Sequence, residues 1–157
     1  DAQVVAATNP CPCGYAGDRL VACTCPPAAR ARYRRRFSGP LLDRFDLQVA
    51  VPRLHPADLA GPEGEGSAAV RARVTTARAV QARRGGLNRN LSRRDLDALP
   101  WEAAALHLLS AAADRLALTA RGWDRVRRVA RTVADLAGCA AVGETHVAEA
   151  LSLRVAL

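Results

Sequence analysis

Two hydrophobic periods divide the chain. Near its start, Val4, Val5, Ala6 and Ala7 form an apolar run within Ala2–Thr8, closed by Thr8-Asn9-Pro10. A continuous run of this kind predicts a strand buried on both faces. From Leu47 to Val51, apolar Leu47, Val49 and Val51 alternate with Gln48 and Ala50, the two-residue period of a second strand. Beyond residue 66 the period lengthens to that of helices. Ser67 is placed to N-cap a helix through about Arg84, with Val70, Val74, Ala77 and Val80 as its stripe and Gly85-Gly86 as its stop. Ser92 and Asp95 have the spacing of a capping box for a short helix. Pro100 opens the next, with Trp101, Ala105, Leu108, Leu109, Ala112 and Leu116 on one face. Thr119 caps another, which turns Trp123, Val126, Val129, Ala130, Val133 and Leu136 inward and stops at Gly138. Thr145 caps the last, with Val147, Ala150 and Leu151 buried.

The expected fold is therefore an α/β remnant followed by an all-α bundle of four or five helices, mainly α overall. Residues 1–53 form the remnant, 67–157 the bundle, and the Pro- and Gly-containing stretch 54–66 a linker. A strand that starts at the first residues makes the chain read as a piece cut from something longer.

Ser38 to Leu47 joins the two periods. Gly39 breaks what precedes it and Pro40 suits a first helical turn. Leu41, Leu42 and Phe45 then fall on one side of about one turn, and Arg44 points the other way. A short helix would thus hold one arginine rigidly at the edge of a sheet. An isolated arginine there reads as a plain surface residue. Asn9, at the tip of the first strand, occupies the place where open α/β sheets present ligand-binding groups; it is also an ordinary turn residue before proline.

Chemistry is most concentrated in Cys11-Pro12-Cys13 and Cys23-Thr24-Cys25. Two such pairs on one loop can give four thiolates to a tetrahedral, structural Zn²⁺ with no open position. A disulfide framework needs an oxidising compartment, and four unrelated free thiols are the third alternative. Arg30, Arg32, Arg34, Arg35 and Arg36 follow, with Tyr33 among them, and read first as a solvated face. So do Arg125, Arg127, Arg128 and Arg131, while Arg121 falls at the start of the Thr119 helix, away from its apolar stripe. His55, His107 and His146 have no second ligand at metal spacing, and Cys139 reads as a lone buried thiol.

Composition changes this picture little. Half of the 157 residues are hydrophobic but only 4% are aromatic, so the core must be Ala, Val and Leu. All 23 basic residues are arginine and the net charge is +8, which admits a polyanionic partner. No apolar run approaches the roughly 18 residues of a membrane span, and no basic leader opens the chain, which predicts a cytoplasmic protein with no membrane partner.

Three motifs taken together carry a resemblance. They are Ala7-Thr8-Asn9-Pro10-Cys11-Pro12-Cys13-Gly14, Ser38-Gly39-Pro40-Leu41-Leu42-Asp43-Arg44-Phe45-Asp46, and Thr119 to Leu136. In this order the chain resembles the magnesium-chelatase-like AAA+ ATPases, in the branch that contains the bacterial competence protein ComM. The resemblance implies Asn9 as sensor 1, Arg44 as an arginine finger and Arg121 as the sensor 2 arginine of a helical lid. It also implies ATP and Mg²⁺ as ligands, a homo-hexameric ring, and DNA as the substrate of a branch-migration motor in natural transformation. No G-x-x-x-x-G-K-[ST] occurs, and a chain without lysine cannot supply one. The implied piece is thus the end of the AAA+ core followed by the lid, which is not expected to hydrolyse ATP alone. Two other functions can be read in the same residues: a zinc-stabilised nucleic-acid-binding module, and a chelatase-type ATPase that drives metal insertion into a porphyrin.

Overall fold

Helices carry the regular structure among residues 3–154, the part of the chain that the computed structural model describes. The described residues divide into two units, 3–45 with 50–59, and 46–49 with 60–154.

The first unit holds three short helices, α1 (Pro27–Arg34), α2 (Gly39–Leu42) and α3 (Pro56–Leu59). Proline starts α1 and α2, where its missing N–H is no loss. Ser38 caps α2 by accepting from the Leu41 N–H at 3.3 Å. Asp58 accepts from the His55 N–H at 2.9 Å and closes the first turn of α3 inside the expected linker.

The second unit is built on α4 (Ser67–Arg83), a 3₁₀ turn (Asn88–Asn90), α5 (Arg93–Ala98), α6 (Ala103–Arg115), α7 (Ala120–Leu136) and α8 (Glu144–Ser152). α7 packs against α4, α5, α8 and the 3₁₀ turn, and α8 packs on α6. The core joins Ala105 and Leu109 of α6, Val126, Ala130 and Ala134 of α7, and Val147 and Ala150 of α8. Trp101, Leu108, Trp123, Val129 and Leu151 pack around it. Alanines at these contacts let helices approach closely. The expected capping box of α5 forms, with Ser92 and Asp95 each accepting from the other's N–H, and Thr119 caps α7 by accepting from Gly122 at 3.0 Å. α4, α6 and α7 all end with a residue at positive φ and a bond from the following residue back to a carbonyl of the last turn. Glycine fills that place after α4 and α7, whereas Ala117, at φ 47°, fills it after α6 and costs about 1–2 kcal/mol of backbone strain.

A polar network lies beside this apolar core. Asp135 is buried and accepts from Arg84 at 2.6 and 3.1 Å, from the Asn88 amide at 2.8 Å and from Arg131 Nε at 3.1 Å. Arg131 is 1% exposed, and its two terminal nitrogens donate to the carbonyls of Ala140 at 2.7 Å and Cys139 at 2.5 Å, which fixes the connection after α7. Arg127, also buried, donates to Asp97 at 2.7 Å and lies 5.3 Å from the Trp101 ring centroid. Burial and ion pairing thus replace the expected solvated placement of Arg127 and Arg131.

Other expectations are corrected as well. Neither predicted strand forms among the described residues; Val5 is 85% and Val51 87% exposed, and Ala2 lies outside the described residues. A strand needs a neighbour's N–H and C=O groups, and these segments find none among the described residues. Residues 46–49 turn instead to helices: Asp46 pairs with Arg125 at 3.0 Å, and the Gln48 N–H donates to the Leu153 carbonyl. Gly66, not Ser67, is the N-cap of α4, and Val70 and Val74 stay exposed because α4 buries only Ala77 and Gln81. Leu41, Leu116 and Leu136 are exposed near element ends. Gly143, not Thr145, caps α8, its N–H donating to His146 Nδ1 at 2.9 Å. Cys139 is exposed, and so are His55 and His107.

Burial pushes the Asp135 carboxyl up, but the bonds from Arg84 and Asn88 and the charges of Arg131 and Arg84 outweigh it, and its pKa is lowered. Its stabilisation is therefore complete above the unfolded-chain value of about 3.9 and is lost as pH falls through the depressed folded value. Asp135→Ala leaves a buried guanidinium unpaired and should cost on the order of 3–5 kcal/mol. Urea unfolding followed by circular dichroism checks both effects; an Asp135→Ala midpoint equal to the parent's refutes the assignment.

Candidate metal centre and candidate nucleotide contacts

The four cysteines of the two pairs converge. Their sulfurs all lie within 4.8 Å of one another, with Cys11–Cys13 at 3.4 Å, Cys13–Cys23 at 3.6 Å and Cys11–Cys23 at 3.7 Å. Tetrahedral Zn–S bonds of about 2.3 Å set neighbouring sulfurs about 3.8 Å apart, so the donor set fits such an ion. All four thiols are free in this structure.

Local sequence explains the convergence. The Gly14 N–H donates to the Cys11 carbonyl at 3.0 Å, and Gly14, at φ 85°, turns the chain where a side chain would be strained. That turn aims the Ala16 N–H at Cys11 Sγ, 3.3 Å away, and the Cys13 N–H meets Cys25 Sγ at the same distance. Asp18 closes the loop from below. It accepts from the N–H groups of Leu20 and Val21 and from Arg53 Nε at 2.9 Å, and Arg53 also lies over the Tyr15 ring. Sequence reasoning did not single out Arg53 and Asp18, although an aspartate two residues before the N–H it caps is a recognisable turn signal.

The thiols are electrostatically unequal. The Tyr15 N–H, helped by the Cys11 and Cys25 thiols, brings Cys13 down to about 5, whereas burial and the Cys13 sulfur push Cys25 up to about 12. Burial opposes ionisation of Cys11, yet the Ala16 N–H and the Cys23 thiol help carry it downward. The Cys25 N–H favours the Cys23 thiolate, but burial and the neighbouring sulfurs raise it. Four sulfurs this close cannot all be anions unless a cation sits among them.

The other candidate residues are not gathered. Asn9 is exposed just before the cysteine loop, its carbonyl accepting from Thr8 Oγ1 at 3.2 Å. Arg44 is exposed after α2 and donates to the Pro40 carbonyl at 3.2 Å, folded back on its own turn. No hydrogen bond or ion pair among the described residues joins the two. Arg121 is exposed on the first turn of α7 in the other unit.

Comparison with known families places these features. The family described as magnesium chelatase, subunit ChlI C-terminal, matches residues 64–154, and that described as magnesium chelatase, subunit ChlI, matches residues 1–59. The chain belongs to the magnesium-chelatase ChlI family of AAA+ proteins. It is 38% identical over 157 residues to the competence protein ComM of Haemophilus influenzae, covering 97% of this chain and 30% of that protein. An uncharacterized protein of Mycobacterium tuberculosis is 43% identical over 161 residues, with 97% and 31% covered. The uncharacterized protein YifB of Escherichia coli K12 is 37% identical over 164 residues, with 97% and 30% covered. The chain thus spans about a third of the length of the relatives it matches. No helix among the described residues is long and apolar enough to cross a membrane.

The unequal thiols can be read by alkylation. After chelation, iodoacetamide at about pH 6.5 should modify Cys13 well ahead of Cys25, because the thiolate is the nucleophile. Peptide mass spectrometry measures the order, and equal rates at the two would contradict it.

Proposed function

We propose that this chain is the C-terminal portion of a ring-forming AAA+ ATPase that acts on DNA, comprising the end of the core and the helical lid. The observation that carries the reading is the family match over both segments, together with the likeness to a competence protein along nearly the whole chain. The full-length protein binds ATP and Mg²⁺ and assembles as a homo-hexamer. Asn9 acts as sensor 1 and positions the hydrolytic water. Arg44 acts as the arginine finger in the neighbouring subunit's site, and Arg121 as the sensor 2 arginine of the lid.

The chemistry asks for fixed positive charge. Phosphoryl transfer to water spreads negative charge over the γ-phosphate oxygens, and guanidinium groups held in place stabilise it without reorganising at the moment of reaction. Arg44 would supply that charge from a fixed backbone turn once its side chain leaves the Pro40 carbonyl. The Ser38 cap and Pro40 stiffen its turn, and the hydrogen bond that its side chain makes is to a carbonyl of that turn, from which it can swing out. The four thiols hold one structural Zn²⁺, which the tetrahedral spacing and the mutual suppression of thiolate charge both favour. A chelatase-type activity is the second reading, favoured by the family's description; metal insertion assays against DNA-stimulated hydrolysis on the full-length protein separate the two.

Arg44→Ala in the full-length protein should reduce hydrolysis on the order of 10³–10⁵-fold while nucleotide binding stays nearly intact. Because the finger serves a neighbour, mixing these subunits with subunits unable to bind ATP should restore some activity. Asn9→Ala should slow hydrolysis without that rescue. Near-parent hydrolysis by Arg44→Ala refutes the finger.

Protein purified without chelator should carry about one zinc per chain by elemental analysis, and Cys23→Ser should lose it. Structural zinc sites of this type contribute roughly 10–16 kcal/mol of apparent binding energy, so metal loss should disorder residues 11–25 to proteolysis. Absence of zinc with four titratable thiols refutes the centre.

A further inference from the structure

Arginines are used differently in the two units. In the helical unit six arginines are ion-paired: Arg73 with Glu65, Arg84 and Arg131 with Asp135, Arg93 with Asp124, Arg125 with Asp46 and Arg127 with Asp97. The cysteine-bearing unit holds eight arginines against three aspartates among its described residues. One aspartate, Asp18, is taken by Arg53. Arg32, Arg34, Arg35 and Arg36 are all exposed, and among the described residues none has an ion pair or a side-chain hydrogen bond.

The stretch that carries them is ordered. Backbone bonds continue past α1 from Arg35 to Ala31, Arg36 to Tyr33 and Phe37 to Arg34. Cys25, whose sulfur belongs to the thiol cluster, stands two residues before α1. Tyr33 packs edge-on against Phe37 with centroids 5.7 Å apart, and its hydroxyl meets Thr8 Oγ1 at 3.0 Å. At about 100° per residue, Arg32, Arg35 and Arg36 have the i, i+3, i+4 spacing that puts them on one side, Arg35 opposite the aromatic pair and Arg36 flanking Tyr33. Three guanidinium groups with no ion pair among the described residues therefore share one solvent side of α1 and the turn that continues it.

We propose that the face formed by Arg32, Arg35 and Arg36 binds the phosphate backbone of nucleic acid without reading sequence. The inference rests on the DNA-motor reading above and assigns it a contact surface. Guanidinium forks match phosphate oxygens bidentately, and no aromatic or amide side chain accompanies them to read bases. A membrane surface fits less well, because an interfacial helix needs an exposed apolar face, and here Tyr33 and Phe37 are half-buried and packed on each other.

The test uses full-length protein and fluorescence anisotropy with a labelled mixed-sequence 40-base-pair duplex across about 50–300 mM NaCl. Each lost phosphate contact removes roughly 0.9 from the slope of log K against log salt. The Arg32→Ala/Arg35→Ala/Arg36→Ala variant should flatten the slope by between about two and three and weaken binding at least about tenfold at low salt. A control variant, Arg78→Ala/Arg83→Ala/Arg115→Ala, removes the same charge from exposed positions of the helical unit and should bind like the parent. Zinc content and DNA-free hydrolysis should match the parent in both variants, which excludes misfolding. Equal losses in the two variants, an unchanged slope in the first, or transfer of the effect to phosphatidylserine vesicles each overturn the proposal. If the parent binds no duplex at any salt, the DNA-motor reading itself fails; if the parent binds steeply and the first variant does likewise, only this surface does.

Discussion

One buried carboxylate sets the geometry of the helical unit. Asp135 takes donors from the residue that ends α4, from the 3₁₀ turn just after it and from its own helix, so two segments 47–51 residues apart in sequence must meet at a single point. Removing a carboxylate and guanidinium groups from water is expensive, and the arrangement holds because nearly every donor and acceptor of the group is used. The apolar core beside it is made of small side chains, which pack in many alternative ways. A directional network fixes the register that alanines alone would leave open. Arg131 extends this order past α7, since its remaining nitrogens hold the carbonyls of Cys139 and Ala140 and so set where α8 begins.

The other unit has almost no core of this kind. Among its described residues Cys11 is the one buried hydrophobic side chain. What replaces packing is a set of short-range polar ties: N–H groups aimed at sulfur, an aspartate capping two amides and an arginine, and a tyrosine hydroxyl on a threonine. The described part of this unit is held by these ties rather than by packing, and under the proposal above a zinc ion would cross-link them. Family membership and architecture agree on this division, since the two family descriptions meet between residues 59 and 64.

Much of this was legible in the sequence, and what was not has common causes. The α5 capping box and the Thr119 cap depend on neighbours three residues apart, and local spacing found them. Gly143 and His146 were missed because a histidine acting as the acceptor of a capping box is unusual, and Thr145 offered a more ordinary signal. Arg127 and Arg131 look like any surface arginine until Asp97 and Asp135 are known to face them. The two strands had convincing periods, but a period states only which faces a strand would have; pairing is a property of neighbours, and residues 47–49 found helices instead. The thiol cluster was readable because both cysteine pairs sit on one tight loop. The roles proposed for Asn9, Arg44 and Arg121 rest on resemblance, since nothing in their local geometry gathers them into a site.

The unpaired extended segments have a practical side. Val4, Val5, Val49 and Val51 expose apolar side chains alongside backbone groups that no ladder occupies. Such stretches can pair with another strand, and the repulsion of a +8 charge opposes pairing between copies. Colloidal behaviour of this polypeptide should therefore turn on ionic strength. Salt that screens the arginines weakens that repulsion and so favours association of copies.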